Sequence, residues 1–166
     1  MVDHDVLVIG AGLAGMRAAI AAQRTGANVA MISKVHPVRS HSNAAQGGIN
    51  AALRGTDDSV DSHIFDTVKG SDYLGDQDSI ELMCTLAPAE IIALEHMGVI
   101  FNRDDEGRLG TRAFGGASYA RTFFVADITG QAILHVMYEQ VIKFGIRSLE
   151  EWVVTDLIVE DGICKG

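Results

Sequence analysis

Two glycine-rich stretches hold the residues most able to do chemistry. Residues 10–15 read Gly-Ala-Gly-Leu-Ala-Gly, and residues 39–48 read Arg-Ser-His-Ser-Asn-Ala-Ala-Gln-Gly-Gly. The first matches the G-x-G-x-x-G pattern, whose glycines permit a tight turn, let backbone N–H groups approach a pyrophosphate and pack a helix against a strand. The second surrounds one histidine, His41, with small residues that let main chain lie flat against a planar group. Together they predict a bound dinucleotide whose reactive ring lies against the second stretch.

The sequence around the first stretch supplies the strands and the helix that such a site needs. Residues 5–9 and 29–33 are short apolar runs, typical of buried parallel strands. Residues 13–25 between them are rich in alanine and stop before Gly26, which predicts a helix with a glycine at its C-terminus. The expected fold class is therefore α/β, a Rossmann-like βαβ domain with a parallel sheet.

The end of the second strand departs from the usual NAD pattern. An Asp or Glu normally receives the ribose hydroxyls there, whereas this chain has Ser33 and Lys34. A serine hydroxyl can also bond a ribose, and the lysine can lie near a phosphate or remain a solvated charge. The missing carboxylate argues against a standard NAD site, and Lys34 alone does not make an NADP site.

Composition excludes several other classes of function. The net charge of −9 disfavours a nucleic-acid partner, because a phosphate backbone needs clustered Lys and Arg. No apolar run is long enough to span a membrane, and no charged leader precedes an apolar segment. Cys84 and Cys164 lack metal-ligand spacing, which indicates a reduced, cytoplasmic setting. Asp57, Asp58 and Asp61 suggest a cation site, but without EF-hand spacing a solvated helix N-terminus is favoured.

The rest of the chain predicts further helices and strands. Residues 76–97 form an amphipathic helix with methionines in the core and Cys84 buried; Asp76 or Asp78 caps it, and Pro88 can break it. A second helix runs from a Thr129 cap to residue 144. The remaining predicted elements are a helix start at 48–53 within an otherwise irregular loop, strands at 98–101 and 152–159, and a hairpin turn at 160–162. The chain ends just after that turn, so we expect a fragment of a longer protein.

Taken together, these residues closely resemble the N-terminal part of the flavoprotein subunit of succinate dehydrogenase and fumarate reductase, over essentially all 166 residues. The motifs that carry the resemblance are residues 10–15, 33–34, 39–41, 44–50, 66–72, 94–98 and 114–116. The resemblance implies that the α/β domain binds FAD and is incomplete at its C-terminus.

The resemblance changes the interpretation of His41. A lone loop histidine is ordinarily a solvated bystander. In the family, the histidine at this position is joined covalently to the 8α-methyl group of FAD, and a neutral imidazole nitrogen suits that bond. The bond makes the flavin a stronger oxidant, which the unactivated C–H bonds of succinate demand.

The resemblance also implies the other cofactor contacts. The residues expected at the ADP half are Gly10, Ala11, Gly12, Leu13, Ala14, Gly15, Ser33 and Lys34. Those expected along the flavin, with backbone N–H groups near its N5 and O4, are Ser40, Ser42, Ala45, Gln46, Gly47 and Gly48. Val154 is expected to contact the adenine through its main chain.

At the level of the whole protein, the resemblance implies interconversion of succinate and fumarate by hydride transfer to or from flavin N5. It implies an iron–sulfur subunit and membrane anchor subunits as partners, and a prokaryotic location at the inner face of the cell membrane. The family's substrate-binding histidines and arginines lie in a capping domain and later segments. Residues 1–166 are therefore expected to be the N-terminal part of the FAD-binding domain, without catalytic residues or metal, and inactive alone.

Several departures leave the subfamily and the direction of the reaction open. Ile128 and Gln131 replace a basic residue and a histidine common in the family, and Ala117 replaces His or Gln. One alternative is an L-aspartate oxidase-like flavoprotein with non-covalent FAD, against which His41 and residues 67–72 argue. Another is a non-catalytic FAD-binding fragment.

Overall fold

The computed structural model describes residues 3–53 and 58–166, and the chain divides into two compact units. The first unit comprises Met1–Asn43 and Leu134–Gly166, and the second comprises Ala44–Ile133. None of the helices in the described ranges is long and apolar enough to cross a membrane.

The first unit is built on a parallel sheet of three strands in the order β1-β2-β6. The strands are β1 (Val6–Ile9), β2 (Val29–Ser33) and β6 (Arg147–Glu150). Helix α1 (Leu13–Arg24) connects β1 to β2 and packs its buried residues, Met16, Ala19 and Ile20, towards the sheet. The predicted βαβ unit is confirmed.

Strand β1 is less buried than its apolar sequence predicts. Leu7 and Ile9 are 46% and 52% exposed, while Val6 and Val8 are partly covered. Since side chains alternate along a strand, one face of β1 is covered by α1 and the other is open within the described residues. The expectation of a strand buried on both faces is wrong for this chain as described.

The C-terminal elements differ from their predictions. Helix α4 (Thr129–Lys143) has the expected extent and is followed by Gly145 with φ +65°. Its predicted cap is wrong, because the Thr129 hydroxyl accepts a hydrogen bond from the N–H of Val125, upstream of the helix. The predicted strand at 152–159 shrinks to β7 (Val159–Glu160), which pairs with β8 (Ile163–Cys164) across the predicted hairpin turn.

The second unit combines two helices with a small antiparallel sheet. The helices are α2 (Val60–Gly70) and α3 (Gln77–Met97). The sheet has the order β3-β5-β4, formed by β3 (Ile49–Asn50), β4 (Thr111–Arg112) and β5 (Thr122–Phe123). Its central strand is fully buried, and Phe123 packs edge to face against Phe101.

Several predictions for this unit need correction. Asp76 caps α3 by accepting the N–H of Ser79 at 2.8 Å, and Cys84 is buried, both as predicted. The helix continues through Pro88 without breaking, and Met83 is 53% exposed rather than part of the core. Residues 98–101 form no strand, although Val99 and Phe101 are buried, because their backbone turns after α3. Residues 48–53 contain β3 instead of a helix start.

Candidate functional site

The glycine turn joins β1 to α1 in a way that only glycine allows at two positions. Gly10 has φ +107°, and its N–H donates to the carbonyl of Ile32 at 2.8 Å, which ties the turn to β2. A Cβ placed on Gly15 would lie 1.9 Å from the carbonyl oxygen of Gly10. The third glycine of the pattern is therefore required for the helix to approach the strand this closely.

The N-terminus of α1 offers backbone donors to an anion. Gly12 occupies the N-cap and has no side chain with which to cap the helix, and the first turn carries no acidic residue. The N–H of Leu13 makes one long contact, 3.4 Å, with the Ser42 hydroxyl. Free N–H groups and the helix dipole together favour a phosphate at this position.

A cavity of about 500 Å³ lies against this turn, at the C-terminal ends of β1 and β2. Ligands of open α/β sheets bind at that edge. Of the sixteen predicted cofactor residues, the cavity collects Gly10, Ala11, Gly12, Ser33, Lys34, Ser40, His41 and Val154. Ser42 adjoins it through its contact with Leu13, and Ala14 and Gly15 lie in the first turn of α1.

Ser40 shows that the cavity suits a polar ligand. Its hydroxyl oxygen is buried and has no hydrogen-bond partner among the residues that the structure describes. A buried, unsatisfied hydroxyl costs free energy unless something bonds to it. Beside the glycine turn and the uncapped helix, Ser40 fits the phosphates or ribitol of a dinucleotide such as FAD.

The cavity also contains residues that the sequence motifs did not predict. Arg39, Trp152 and Val153 line it together with the predicted residues. Arg39 lies within residues 39–48, the second glycine-rich stretch, so its position in that stretch could have indicated that it lines the cavity. Trp152 and Val153 were assigned to a strand, whereas they form an irregular wall after β6.

In the second unit, the remaining predicted flavin contacts form a segment whose carbonyls are held by protein donors. The N–H of Gly130 donates to Ala45 O at 2.7 Å. The guanidinium of Arg112 donates to Gln46 O at 3.0 Å and to Gly47 O at 2.6 Å. Arg112 also stacks over the Phe124 ring, with 4.4 Å from Cζ to the ring centroid, and this contact fixes its position.

This bonding pattern leaves amide donors on the opposite side of the segment. In a trans peptide the N–H points away from the preceding carbonyl, so the N–H groups of Gln46, Gly47 and Gly48 point away from the donors that hold Ala45, Gln46 and Gly47. A Cβ on Gly47 would lie 2.8 Å from the Phe114 ring, and one on Gly48 would lie 2.5 Å from Phe123 O. The segment thus has small residues where protein approaches closely and backbone donors for a ligand's acceptors.

A buried ion cluster organises the second unit. The Arg121 side chain is 1% exposed and binds Asp58 through Nε at 3.1 Å and Nη2 at 2.6 Å. Its Nη1 donates to Asp66 at 2.9 Å, and Asp66 also accepts from the N–H and hydroxyl of Ser118. The prediction of a solvated helix N-terminus is wrong for Asp58. Asp57 lies outside the described residues.

The pKa values of Asp66 and His63 are both lowered at this cluster. For Asp66 this shift opposes the effect of burial, and for His63 it is in the same direction as the effect of burial. Burial alone raises the pKa of Asp66, but hydrogen bonds from Ser118 and the charge of Arg121 outweigh it and lower the pKa. Burial and the charge of Arg121 lower the pKa of His63, more than Asp58 and Asp66 raise it.

Across the described ranges, no group of three or more His, Cys, Asp or Glu side chains is arranged to hold a metal ion.

The lowered pKa of His63 predicts that acidification destabilises the fold. Below the ordinary value of 6.5 the unfolded state binds a proton that folded His63 does not, so the free energy of unfolding falls as pH drops. Urea unfolding between about pH 7.5 and 5.5 measures this slope, which His63→Gln should reduce and the exposed-site control His135→Gln should keep. Equal slopes in the wild type and His63→Gln would exclude His63 as the cause.

Comparison with known proteins agrees with this geometry. Residues 5–166 match the FAD binding domain family. The chain belongs to this family. The finding confirms the FAD-binding α/β fold expected for the chain.

Its relatives include flavoprotein subunits of two kinds. The succinate dehydrogenase flavoprotein subunit of Rickettsia felis is 48% identical over 98% of this chain. The fumarate reductase flavoprotein subunit of Mycobacterium tuberculosis is 45% identical over 99%. A solved structure of a quinol fumarate reductase variant from E. coli superposes with a TM-score of 0.92, at 40% identity over 97% of this chain. The resemblance seen in the sequence is confirmed.

The matched region is a minor part of these relatives. The chain spans 29% of the Rickettsia protein, and 28% of both the Mycobacterium protein and the E. coli structure.

Proposed function

We propose that the protein containing this chain is the flavoprotein subunit of a succinate dehydrogenase or fumarate reductase, and that residues 1–166 are the N-terminal part of its FAD-binding domain. The observation that carries this proposal is the cavity at the glycine turn, with the unsatisfied Ser40 hydroxyl inside it. The identity of 48% to a succinate dehydrogenase subunit over nearly the whole chain supports the same function.

Each part of the cavity has a role in holding the dinucleotide. The N–H groups at Gly12 and Leu13 bind the pyrophosphate, and Ser40 and Ser42 add hydroxyl donors beside it. Ser33 and Lys34, at the end of β2, bind the adenosine ribose. Val154 contributes main chain to the adenine side. Residues 45–48 belong to the second unit and lie outside the cavity lining, and they are proposed separately as amide donors to the flavin.

His41 is the proposed covalent attachment point. Its side chain is exposed and lines the cavity, so the imidazole is accessible to a bound cofactor. FAD supplies the redox chemistry by exchanging a hydride with the substrate carbon. The protein contributes orientation and a bond that makes the flavin more oxidising. A small dicarboxylate, succinate or fumarate, is the proposed substrate.

The resemblance to this family supports a proposed assembly. An iron–sulfur subunit and membrane anchor subunits would carry electrons onward, and they would hold the protein at the inner face of a prokaryotic cell membrane.

Dye reduction tests the proposed activity. The full-length protein should reduce a dye when succinate is added, or oxidise a reduced dye with fumarate, whereas residues 1–166 alone should do neither. Turnover by residues 1–166 alone would place catalytic groups within this chain. Absence of both reactions in full-length, FAD-loaded protein would reject the proposal.

A Ser40→Ala substitution tests the cavity itself. The Ser40 hydroxyl has no partner within residues 3–53 and 58–166, so its removal should leave the thermal midpoint unchanged or slightly higher. FAD should bind about 3- to 10-fold more weakly for one lost hydrogen bond. Flavin fluorescence titration measures the affinity and a thermal melt measures stability. Ser79→Ala, on the exposed start of α3, is the control and should leave the affinity unchanged. Unchanged affinity in Ser40→Ala would remove Ser40 from the site.

A further inference from the structure

Three side chains of the first unit form a cluster next to the cavity. They are Tyr138 on α4, Glu150 at the end of β6 and His36, which follows β2. The Tyr138 hydroxyl donates to Glu150 Oε1 at 2.9 Å, and His36 Nε2 lies 3.5 Å from Glu150 Oε2. The rings of His36 and Tyr138 meet edge to face with their centroids 5.2 Å apart. Each of the three therefore contacts the other two, and none lines the cavity.

One wall of the cavity begins at His36. This residue is the N-cap of a single 3₁₀ turn, Pro37–Arg39, and its carbonyl accepts the N–H of Arg39 at 2.8 Å. Arg39, Ser40 and His41 follow directly and line the cavity. The position of His36 thus determines where the wall formed by residues 39–41 starts. This wall carries His41, the proposed attachment point.

A second wall of the cavity begins after Glu150. Glu150 pairs with Ser33 at the end of the sheet, and the next residue, Glu151, has φ +61°. That left-handed conformation is unfavourable for a residue with a side chain, so it needs support from its neighbours. Trp152 then donates its N–H to Ser33 O at 3.0 Å, and residues 152–154 line the cavity.

Packing by the described residues does little to hold this second wall. Trp152 is 61% exposed and Val153 is 70% exposed. The contacts that fix the wall are the backbone bond from Trp152 and the side-chain anchors on Glu150. The phenol of Tyr138 is well suited as an anchor: burial raises its pKa, and the bond to Glu150 and the charge of Glu150 raise it further, so it stays a hydrogen-bond donor.

We propose that Tyr138, Glu150 and His36 form a positioning cluster that holds the two walls of the cavity in place and thereby sets its affinity for the ADP half of the dinucleotide. Tyr138 is the centre of this cluster, because it touches both residues from which the walls start. The inference rests on the proposed function, since it takes the cavity to be the dinucleotide site.

Titration with ADP and with FAD tests the cluster in the full-length apoprotein. Tyr138→Phe keeps the ring against His36 and removes only the hydroxyl, so both ligands should bind about 3- to 10-fold more weakly. Glu150→Gln retains an acceptor for Tyr138 and should weaken binding less than Glu150→Leu does. Tyr73→Phe, at an exposed tyrosine of the second unit, is the matched control and should bind like the wild type.

The measurements separate a positioning role from a structural one. Titrations are made well below the unfolding midpoint of every variant, and the midpoints are measured alongside. Lower midpoints with unchanged affinities for ADP in Tyr138→Phe and Glu150→Leu would show a structural role and overturn the inference, while the proposed function stands. If Tyr138→Phe does not fold, the ADP affinities of Glu150→Gln and Glu150→Leu test the inference instead. Weaker binding by Glu150→Leu supports it, and equal binding by the two variants overturns it. A wild-type protein that binds neither ADP nor FAD would overturn the proposed function, and the inference with it.

Discussion

Replacing Arg121 with leucine should lower the free energy of unfolding by about 3 to 5 kcal/mol, the cost of removing one partner of a buried ion pair. Arg121 is 1% exposed and forms ion pairs with both Asp58 and Asp66, whose side chains are each 8% exposed. Without the guanidinium, two buried carboxylates lose their cation and keep only neutral donors, Ser118 at Asp66 and the N–H of Ser59 at Asp58. Urea unfolding at neutral pH measures the loss.

A matched control, Arg108→Leu, tests whether burial, rather than the number of ion pairs, determines the loss of stability. Arg108 also binds two carboxylates, Asp104 at 3.0 Å and Glu106 at 2.7 Å, but its side chain is 60% exposed. Arg108→Leu should change stability little, because water screens exposed pairs and solvates the remaining charges. Equal losses in the two variants would contradict the assignment of Arg121 as the buried centre of the second unit.

Acid should reduce the effect of the Arg121 substitution. The pKa of Asp66 in the folded protein is lowered, so its pairing stabilises the fold above the ordinary carboxyl range and is lost as pH falls through the lowered value. In Arg121→Leu the charge that helps to lower the pKa of Asp66 is gone, so Asp66 can take up a proton at higher pH, which relieves its burial. The difference between wild type and variant should therefore shrink on acidification.

The buried ion cluster of Arg121, Asp58 and Asp66 could not be predicted from the sequence, and the reason is physical. Asp58 and Asp66 lie 63 and 55 residues before Arg121, and no local pattern connects them. Asp58 follows a polar run that is typical of a solvated turn. Its burial depends on a tertiary contact made by a residue in a glycine-rich loop, and the sequence around that loop shows only that the loop exists.

The first unit was predictable where local geometry alone decides the structure. The turn at Gly10 and Gly15 depends on a positive φ and a contact with backbone, which the glycine spacing specifies directly. Strand β6 was missed because Arg-Ser-Leu-Glu has neither apolar continuity nor alternation. Its position at the edge of the described sheet, beside β2 only, explains how a strand with charged ends is tolerated. The missed strand is also why Trp152 and Val153 were not recognised as cavity residues.

His41→Ser should abolish covalent flavin in the full-length protein while leaving non-covalent binding. Serine keeps a small polar side chain in the cavity wall, but it has no nucleophilic ring nitrogen, and the contacts at the glycine turn remain. Wild-type protein should stay yellow after acid precipitation and fluoresce as a band in a denaturing gel, whereas the variant should release all its flavin. His4→Ser, near the N-terminus, is the control and should keep the band.

The same experiment separates the two kinds of flavoprotein that this sequence resembles. Release of all flavin from the wild type on denaturation would reject the covalent bond and favour an L-aspartate oxidase-like enzyme. Retention in the wild type and loss only in His41→Ser would assign the bond to His41, the one histidine among the described residues that line the cavity. Because the proposed bond would make the flavin more oxidising, the variant should also oxidise succinate far more slowly than it reduces fumarate. That asymmetry, measured with dyes in both directions, tests the role of the bond independently of the gel.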